Sequence, residues 1–232
     1  MSSAFPIVRL DNVGVCFSQR AGLFKRREFW ALEDISLNLF QGETLGVVGN
    51  NGAGKTTLLK VLSGILEPSI GTYTNPGFRA SMLTLQLGFL PNLTGRDNAV
   101  LSGMFLGLSR RMVLEKLDAI MEFSELGDFF DQPVRTYSAG MRARLGFSVA
   151  LEASPDILLI DEVLGVGDAD FRAKSTAALK SLIRSDRTVV LVSHNQATVR
   201  ELCDRLVWIE NRVTRMEGPV DEVMESFTGA RP

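Results

Sequence analysis

Gly49-Asn50-Asn51-Gly52-Ala53-Gly54-Lys55-Thr56-Thr57 has the residue types and spacing of a phosphate-binding loop. Before it, Glu43-Thr44-Leu45-Gly46-Val47-Val48 reads as a buried parallel strand; after it, Thr57-Leu58-Leu59-Lys60-Val61-Leu62 reads as a helix. In such a strand–loop–helix, successive backbone N–H groups and the positive end of the helix form a concave seat for phosphate oxygens. Glycines let the backbone close around those oxygens where a side chain would intrude. Lys55 would reach the β- and γ-phosphates, and the Thr56 hydroxyl would ligate Mg²⁺. A nucleoside-triphosphate site is the expectation.

The remaining chain builds an α/β protein around that loop. Its 232 residues allow one substantial core with a smaller subdomain. Ile7–Phe17 and Trp30–Phe40 alternate apolar and polar residues as antiparallel strands do. A turn-rich stretch runs through Pro68, Gly71, Pro76 and Gly77. Gly95–Gly107 and Ser109–Leu126 then carry apolar residues at helical spacing with no strand between them, which reads as an inserted helical subdomain. After Ala139 helices and strands alternate again: helix to Glu152, strand Ile157–Ile160, helix Ala169–Arg184, strand Thr188–Val192. Leu206–Ile209 and Val213–Met216 close a hairpin around Asn211-Arg212. This alternation predicts a mostly parallel core sheet with right-handed crossovers.

Composition excludes several classes. A net charge of −2 leaves no basic footprint for nucleic acid, and Lys25-Arg26-Arg27 reads as a solvated loop. Cys16 and Cys203 stand in no ligand spacing and read as reduced thiols. The first residues lack the pattern of a secretion signal, and no apolar run reaches the length of a membrane span. A membrane function would therefore draw its spans from another chain.

A second set of residues suggests what the nucleotide is for. The strand Ile157–Ile160 ends in Asp161-Glu162. Asp161, at a C-terminal strand end beside the phosphate loop, is placed to hold Mg²⁺ through water, and Glu162 is the candidate general base for the attacking water. His194, the one histidine, follows the next strand at the same sheet edge, where it could hydrogen-bond the γ-phosphate and sense hydrolysis. Ser138 is a candidate N-cap in Tyr137-Ser138-Ala139-Gly140-Met141, and a small-residue turn at a helix start is a further anion site.

Together and in this order, these residues resemble the ATP-binding cassette of ABC transporters over nearly the whole chain. The resemblance implies a single cassette over residues 1–232, a P-loop NTPase fold with an antiparallel β subdomain and a helical subdomain at about 86–150 that carries the signature. It implies ATP and Mg²⁺ as cofactors, Gln86 as a coupling glutamine and metal ligand, and Phe17 as the aromatic stacked on adenine, with Trp30 its rival. It places Ser138, Ala139, Gly140 and Met141 against the ATP of a second copy, and Asp168 at the dimer interface. Two departures stand out: Tyr137, Ala139 and Met141 replace residues of the common Leu-Ser-Gly-Gly-Gln signature, and Gly165-Val166-Gly167-Asp168 replaces Ser-Ala-Leu-Asp.

Those departures, with Arg142–Phe147, Asp161–Phe171 and Leu93-Thr94-Gly95-Arg96-Asp97-Asn98, look like the subfamily that exports capsule, O-antigen or teichoic acid. The implied partners are a second copy of this chain as a homodimer, an integral membrane permease and a polysaccharide or lipid-linked glycan as cargo, with no nucleic acid. The implied location is peripheral, on the cytoplasmic face of the inner membrane. Few residues follow the last hairpin, which predicts no glycan-binding domain on this chain. The rival readings are a soluble ABC ATPase without a membrane partner and a regulatory module that binds nucleotide without hydrolysing it.

Overall fold

A computed structural model of the chain describes residues 5–20, 26–83, 88–153, 155–161 and 168–230. The chain divides into two compact units, one comprising Met1–Met82, Asp156–Glu162 and Ile183–Pro232, the other Leu83–Pro155 and Val163–Leu182.

The first unit is built on a nine-stranded sheet. Its strands are β1 (Val8–Arg20), β2 (Arg26–Leu39), β3 (Thr44–Val48), β4 (Ile70–Thr74), β5 (Ala80–Met82), β6 (Ile157–Asp161), β7 (Thr188–Val192), β8 (Arg205–Glu210) and β9 (Val213–Pro219), in the order β4-β1-β2-β9-β8-β3-β7-β6-β5. From β8 to β5 every pairing is parallel, whereas β1 pairs antiparallel with both β2 and β4. β3 and β7 are buried along their whole length, as strands covered on both faces must be. The β8–β9 hairpin turns through Asn211 and Arg212, both at positive φ (49° and 69°), as a two-residue loop with the right twist requires.

Helix α1 (Lys55–Leu62) lays Leu58, Leu59, Val61 and Leu62 on this sheet, against a core that includes Leu45, Val47, Leu159, Val190, Val207 and Ile209. Each such side chain contributes roughly 1.5–3 kcal/mol by leaving water.

The other unit is helical: α2 (Gly95–Phe105), α3 (Arg110–Ser124), α4 (Ala139–Ala153) and α5 (Ala169–Ile183), α5 ending one residue into the first unit. Local sequence sets the starts. Thr94 accepts from the Asp97 amide at 3.0 Å, Ser109 from Met112 at 3.3 Å, Ser138 from Met141 at 3.1 Å and Asp168 from Phe171 at 3.1 Å. Each is a side-chain cap on an otherwise orphaned amide. Ile120, Phe130, Tyr137, Leu145 and Val149 form the core of this unit. Two short helices, α6 (Gln196–Leu202) and α7 (Val220–Gly229), return to the first unit, where α7 buries Val223, Met224 and Phe227 against Trp208.

The fold is the expected α/β cassette architecture, with local differences: Arg26 and Arg27, expected in a loop, lie in β2, and α6 forms where no helix was read. The stretch expected only to turn contains β4 and β5, and the residues after the hairpin form α7. The helical unit also takes in residues 163–182, beyond the 86–150 read from sequence.

Gly95 supplies a test of packing in the helical unit. A Cβ there would lie 2.1 Å from the Tyr137 hydroxyl and 2.9 Å from the Phe130 carbonyl oxygen. Gly95→Ala should therefore destabilise the protein by about 1–3 kcal/mol, seen as a lower urea midpoint. An unchanged midpoint would show that the Tyr137 packing yields without cost.

Candidate functional site

The site begins where β3 runs out. Two parallel neighbours, β7 and β8, fix that strand, so its C-terminal end cannot shift. The next residue, Gly49, passes so close to β8 that a Cβ would stand 2.3 Å from the Ile209 carbonyl oxygen. Gly54, at φ 104°, ends the loop, and a Cβ there would meet the Ala31 carbonyl oxygen of β2 at 2.7 Å. The loop is thus seated on the sheet at both ends through backbone that admits no side chain. α1 starts at Gly54 with no side-chain cap, so the amides of its first turn have no capping side chain across them. That arrangement suits an anion.

Lys55 is buried, and its ammonium donates to the carbonyl oxygens of Gly49 (2.9 Å) and Asn50 (3.1 Å). A buried charge of this kind is held in place by hydrogen bonds and by the loop dipoles. Beside it, the Thr56 hydroxyl donates to Asp161 Oδ2 at 2.8 Å, joining the first turn of α1 to the end of β6. A hydroxyl and a carboxylate converging next to a phosphate seat are the hard oxygen donors that Mg²⁺ takes, one or two from protein with the rest from phosphate and water. The residues present fit that ion.

His194 follows Ser193 at the end of β7 and is exposed, sharing a small pocket with Gly49, Val199, Met224 and Phe227. The Ser193 hydroxyl accepts from the Asn195 amide at 3.2 Å and Asn195 caps α6 through Thr198, so the turn carrying the histidine is anchored on both sides. The phosphate loop, Asp161 and His194 thus all lie at C-terminal ends of parallel strands of one sheet.

A cleft of about 380 Å³ opens over the loop, lined by Phe29, Ala31, Asn51, Gly52, Gly54, Lys55, Thr56 and Thr57. Its aromatic is Phe29, which is 54% exposed. Phe17 pairs with Phe29 in the β1–β2 register and is also exposed, but neither it nor the half-buried Trp30 lines this cleft. Phe29 lines this cleft together with Ala31, whose carbonyl Gly54 approaches. The Arg212 guanidinium lies 5.0 Å from the Phe29 ring centroid and pairs with Glu33 at 2.9 Å.

Within the helical unit, Ser138 and Ala139 are exposed while Tyr137 is buried, its hydroxyl donating to the Phe129 carbonyl. Burial pushes the Tyr137 phenol up to about 12. A Cβ on Gly140 would make only an ordinary contact with Ser138 Oγ, so the capped turn presents a small, open surface. Asp168 is exposed and holds the start of α5. Glu162 and Gln86 lie outside the described residues.

These features agree with what known proteins show. The profile of the family described as "ABC transporter" matches residues 32–165. The O-antigen export system ATP-binding protein RfbB of Klebsiella pneumoniae is 46% identical over 208 residues, which is 90% of this chain and 85% of that protein. The teichoic acids export ATP-binding protein TagH of Lactococcus lactis is 41% identical over 87% of this chain and 43% of its own length. Among solved structures, a dimeric post-hydrolysis ATP-binding cassette bound to ADP and Pi superposes with a TM-score of 0.68 at 24% identity, covering 92% of this chain and 98% of that one.

The Thr56–Asp161 pair gives a direct test of the metal seat. Thr56→Val removes the hydroxyl and leaves the shape of the side chain. Nucleotide affinity measured by calorimetry with Mg²⁺ should fall by about tenfold, while affinity in a chelator stays as in wild type. Equal losses in both conditions would assign Thr56 to the nucleotide alone.

Proposed function

We propose a function from one premise: the chain belongs to the ABC transporter family. Its role is the ATP-hydrolysing subunit of an exporter that drives a polysaccharide or lipid-linked glycan through a separate membrane permease. The observation that carries this reading is the shared length with RfbB: 46% identity extends over 90% of this chain, well past the phosphate loop.

The chemistry follows from the residues. Amides of Asn51–Thr57 and the ammonium of Lys55 would bind the β- and γ-phosphates. Thr56 and Asp161 would hold Mg²⁺, which supplies charge neutralisation on those phosphates when bound. Phe29 offers its exposed ring to the adenine, ahead of Phe17 and Trp30, because it alone of the three lines the cleft. Glu162 accepts a proton from the attacking water, and His194 donates a hydrogen bond to the γ-phosphate and senses its separation. Two copies close head-to-tail, so that Ser138–Met141 of one copy meets the ATP of the other. Closure and release turn hydrolysis into motion of the permease. Among the described residues no helix is long and apolar enough to cross a membrane, which fits a peripheral subunit at the cytoplasmic face working through a permease.

Glu162→Gln tests the reading as a whole. The variant retains shape and hydrogen bonding but lacks the base, so turnover should fall by roughly two orders of magnitude or more with ATP binding kept. Cells carrying it should hold their polysaccharide inside and display none. Normal turnover would remove Glu162 from the mechanism, and lost turnover with normal surface glycan would overturn the cargo.

Composite sites have their own test. Lys55→Ala spoils the phosphate loop and Ser138→Arg spoils the capped turn, and either homodimer then has two defective sites. In a mixed dimer both lesions fall in one site and leave the other whole. Mixed dimers should therefore occlude ATP where the parents do not. Mixtures as empty as their parents would reduce Ser138 to an ordinary helix cap.

A further inference from the structure

Two stretches that carry the subfamily resemblance, Arg142–Phe147 and, from Asp168 on, the described part of Asp161–Phe171, meet in the helical unit. Phe147 of α4 and Phe171 of α5 are fully buried with ring centroids 6.3 Å apart, and Phe123 of α3 completes the cluster at 5.9 and 5.8 Å. Arg144 lies across this cluster. Its guanidinium is 4.8 Å from the Phe171 centroid, one nitrogen donates to Glu125 at 3.2 Å, and another donates to Asp168.

The two acids are held unequally. Glu125 has a second cation, Lys174, which donates to it at 2.6 Å and to the Phe123 carbonyl at 3.0 Å, with its ammonium 4.6 Å over the Phe123 ring. Asp168 has Arg144 and, through its other oxygen, the Phe171 amide. The side chain of Arg144 is 18% exposed and that of Asp168 is 62% exposed. A largely buried cation thus grips a surface carboxylate. Only a planar guanidinium presents a flat face to a ring and separate edges to two carboxylates; an ammonium has no such face.

We propose that Arg144 is a positioning residue that fixes Asp168 to the signature helix, so that Ser138–Met141 and Asp168 are presented to a second copy of the chain as one rigid surface. The proposal rests on the reading that both groups face a partner cassette. Arg144 would act through Asp168 and through the direction of α4. The Asp168 carboxyl is accordingly held below the ordinary carboxylate range, first by the Phe171 amide and next by Arg144. A group with a depressed folded-state pKa adds stability above its unfolded value and loses it as pH falls through the folded value.

The test uses the full chain and four variants: Arg144→Lys, Asp168→Asn, the two combined, and Lys174→Met. ATP-dependent dimerisation and steady-state kcat and KM are measured for each. Arg144→Lys and Asp168→Asn should each lower dimerisation and kcat by about tenfold, leave KM near wild type, and combine without adding. Lys174→Met, which disturbs the same cluster without touching Asp168, should dimerise like wild type. Carboxyl-detected NMR should show Asp168 titrating higher in Arg144→Lys than in wild type.

Wild type supplies an arm that needs no variant to fold: the Arg144 guanidinium protons should be resolved and slow to exchange. A freely rotating guanidinium overturns the proposal, as does Arg144→Lys that behaves like wild type while Asp168→Asn is impaired. Equal losses in Arg144→Lys and Lys174→Met also overturn it, since the cluster then acts only by stability. Wild-type dimers unaffected by Asp168→Asn would instead withdraw the interface role of Asp168, and the proposal with it.

Discussion

Contact between bare backbone and bare backbone is the constraint on which the nucleotide site depends. Gly49 runs against the Ile209 carbonyl and Gly54 against that of Ala31, so the loop between them is clamped to strands on one side of β3. A side chain at either point would lift the loop and carry Lys55 and Thr56 with it. The donors that face phosphate are amides whose directions are set by the path of the chain. The accuracy of that path comes from the fully buried strand before it and the apolar face of α1 after it. Packing energy in the core is in this sense converted into placement at the surface.

Much of this was legible in the sequence because it is local. Strand, loop and α1 are contiguous, and the cap at Ser138 announces its helix within three residues. The α/β order was likewise readable from alternating apolar runs and helical spacing. What sequence could not supply was parity in the outer strands. The β1–β2 pairing shifts register at three places between Leu10 and Cys16, once with the extra residue in β1 and twice with it in β2, and each shift changes which residues share a face. Phe17 and Trp30 were named for the base from the family resemblance, whereas the cleft over the loop is lined by Phe29. β4 and β5 escaped because Gly71, Pro76 and Gly77 punctuate them. The meeting of Arg144 with Asp168 and Phe171 was beyond reach, since it is made by packing between helices and not by spacing along one.

The helical unit shows how one substitution in a motif is accommodated by another. Tyr137 is buried, and its hydroxyl needs both an acceptor and room. Phe129 offers the carbonyl and Gly95 offers the room. Gly95 belongs to the same Leu93–Asn98 stretch that the resemblance singles out, so two unusual features distant in sequence answer one steric requirement. The small residues after Ser138 are then free to serve the surface, because the anchoring is done by the tyrosine behind them.

The seam between β2 and β9 carries a consequence for how the first unit unfolds. The strands share one register pair, Asp34 with Val213, supported by the Glu33 and Asp34 amides on the Arg212 carbonyl and by the Arg212–Glu33 ion pair. The β8–β3–β7–β6 strands beside it are joined along their lengths. Protection against hydrogen exchange will therefore divide at that seam. The amides of β3 and β7 should be the slowest to exchange and those of the β1–β2–β4 ribbon faster, although Leu10, Leu32 and Leu37 share one core with Leu45 and Val47. Phe29 sits on the ribbon side of the seam, and the phosphate loop is seated on both sides of it, through Gly49 on Ile209 and Gly54 on Ala31. Base and phosphates of a bound nucleotide would then bridge two layers of different cooperativity, and nucleotide would slow exchange in the ribbon more than in the core.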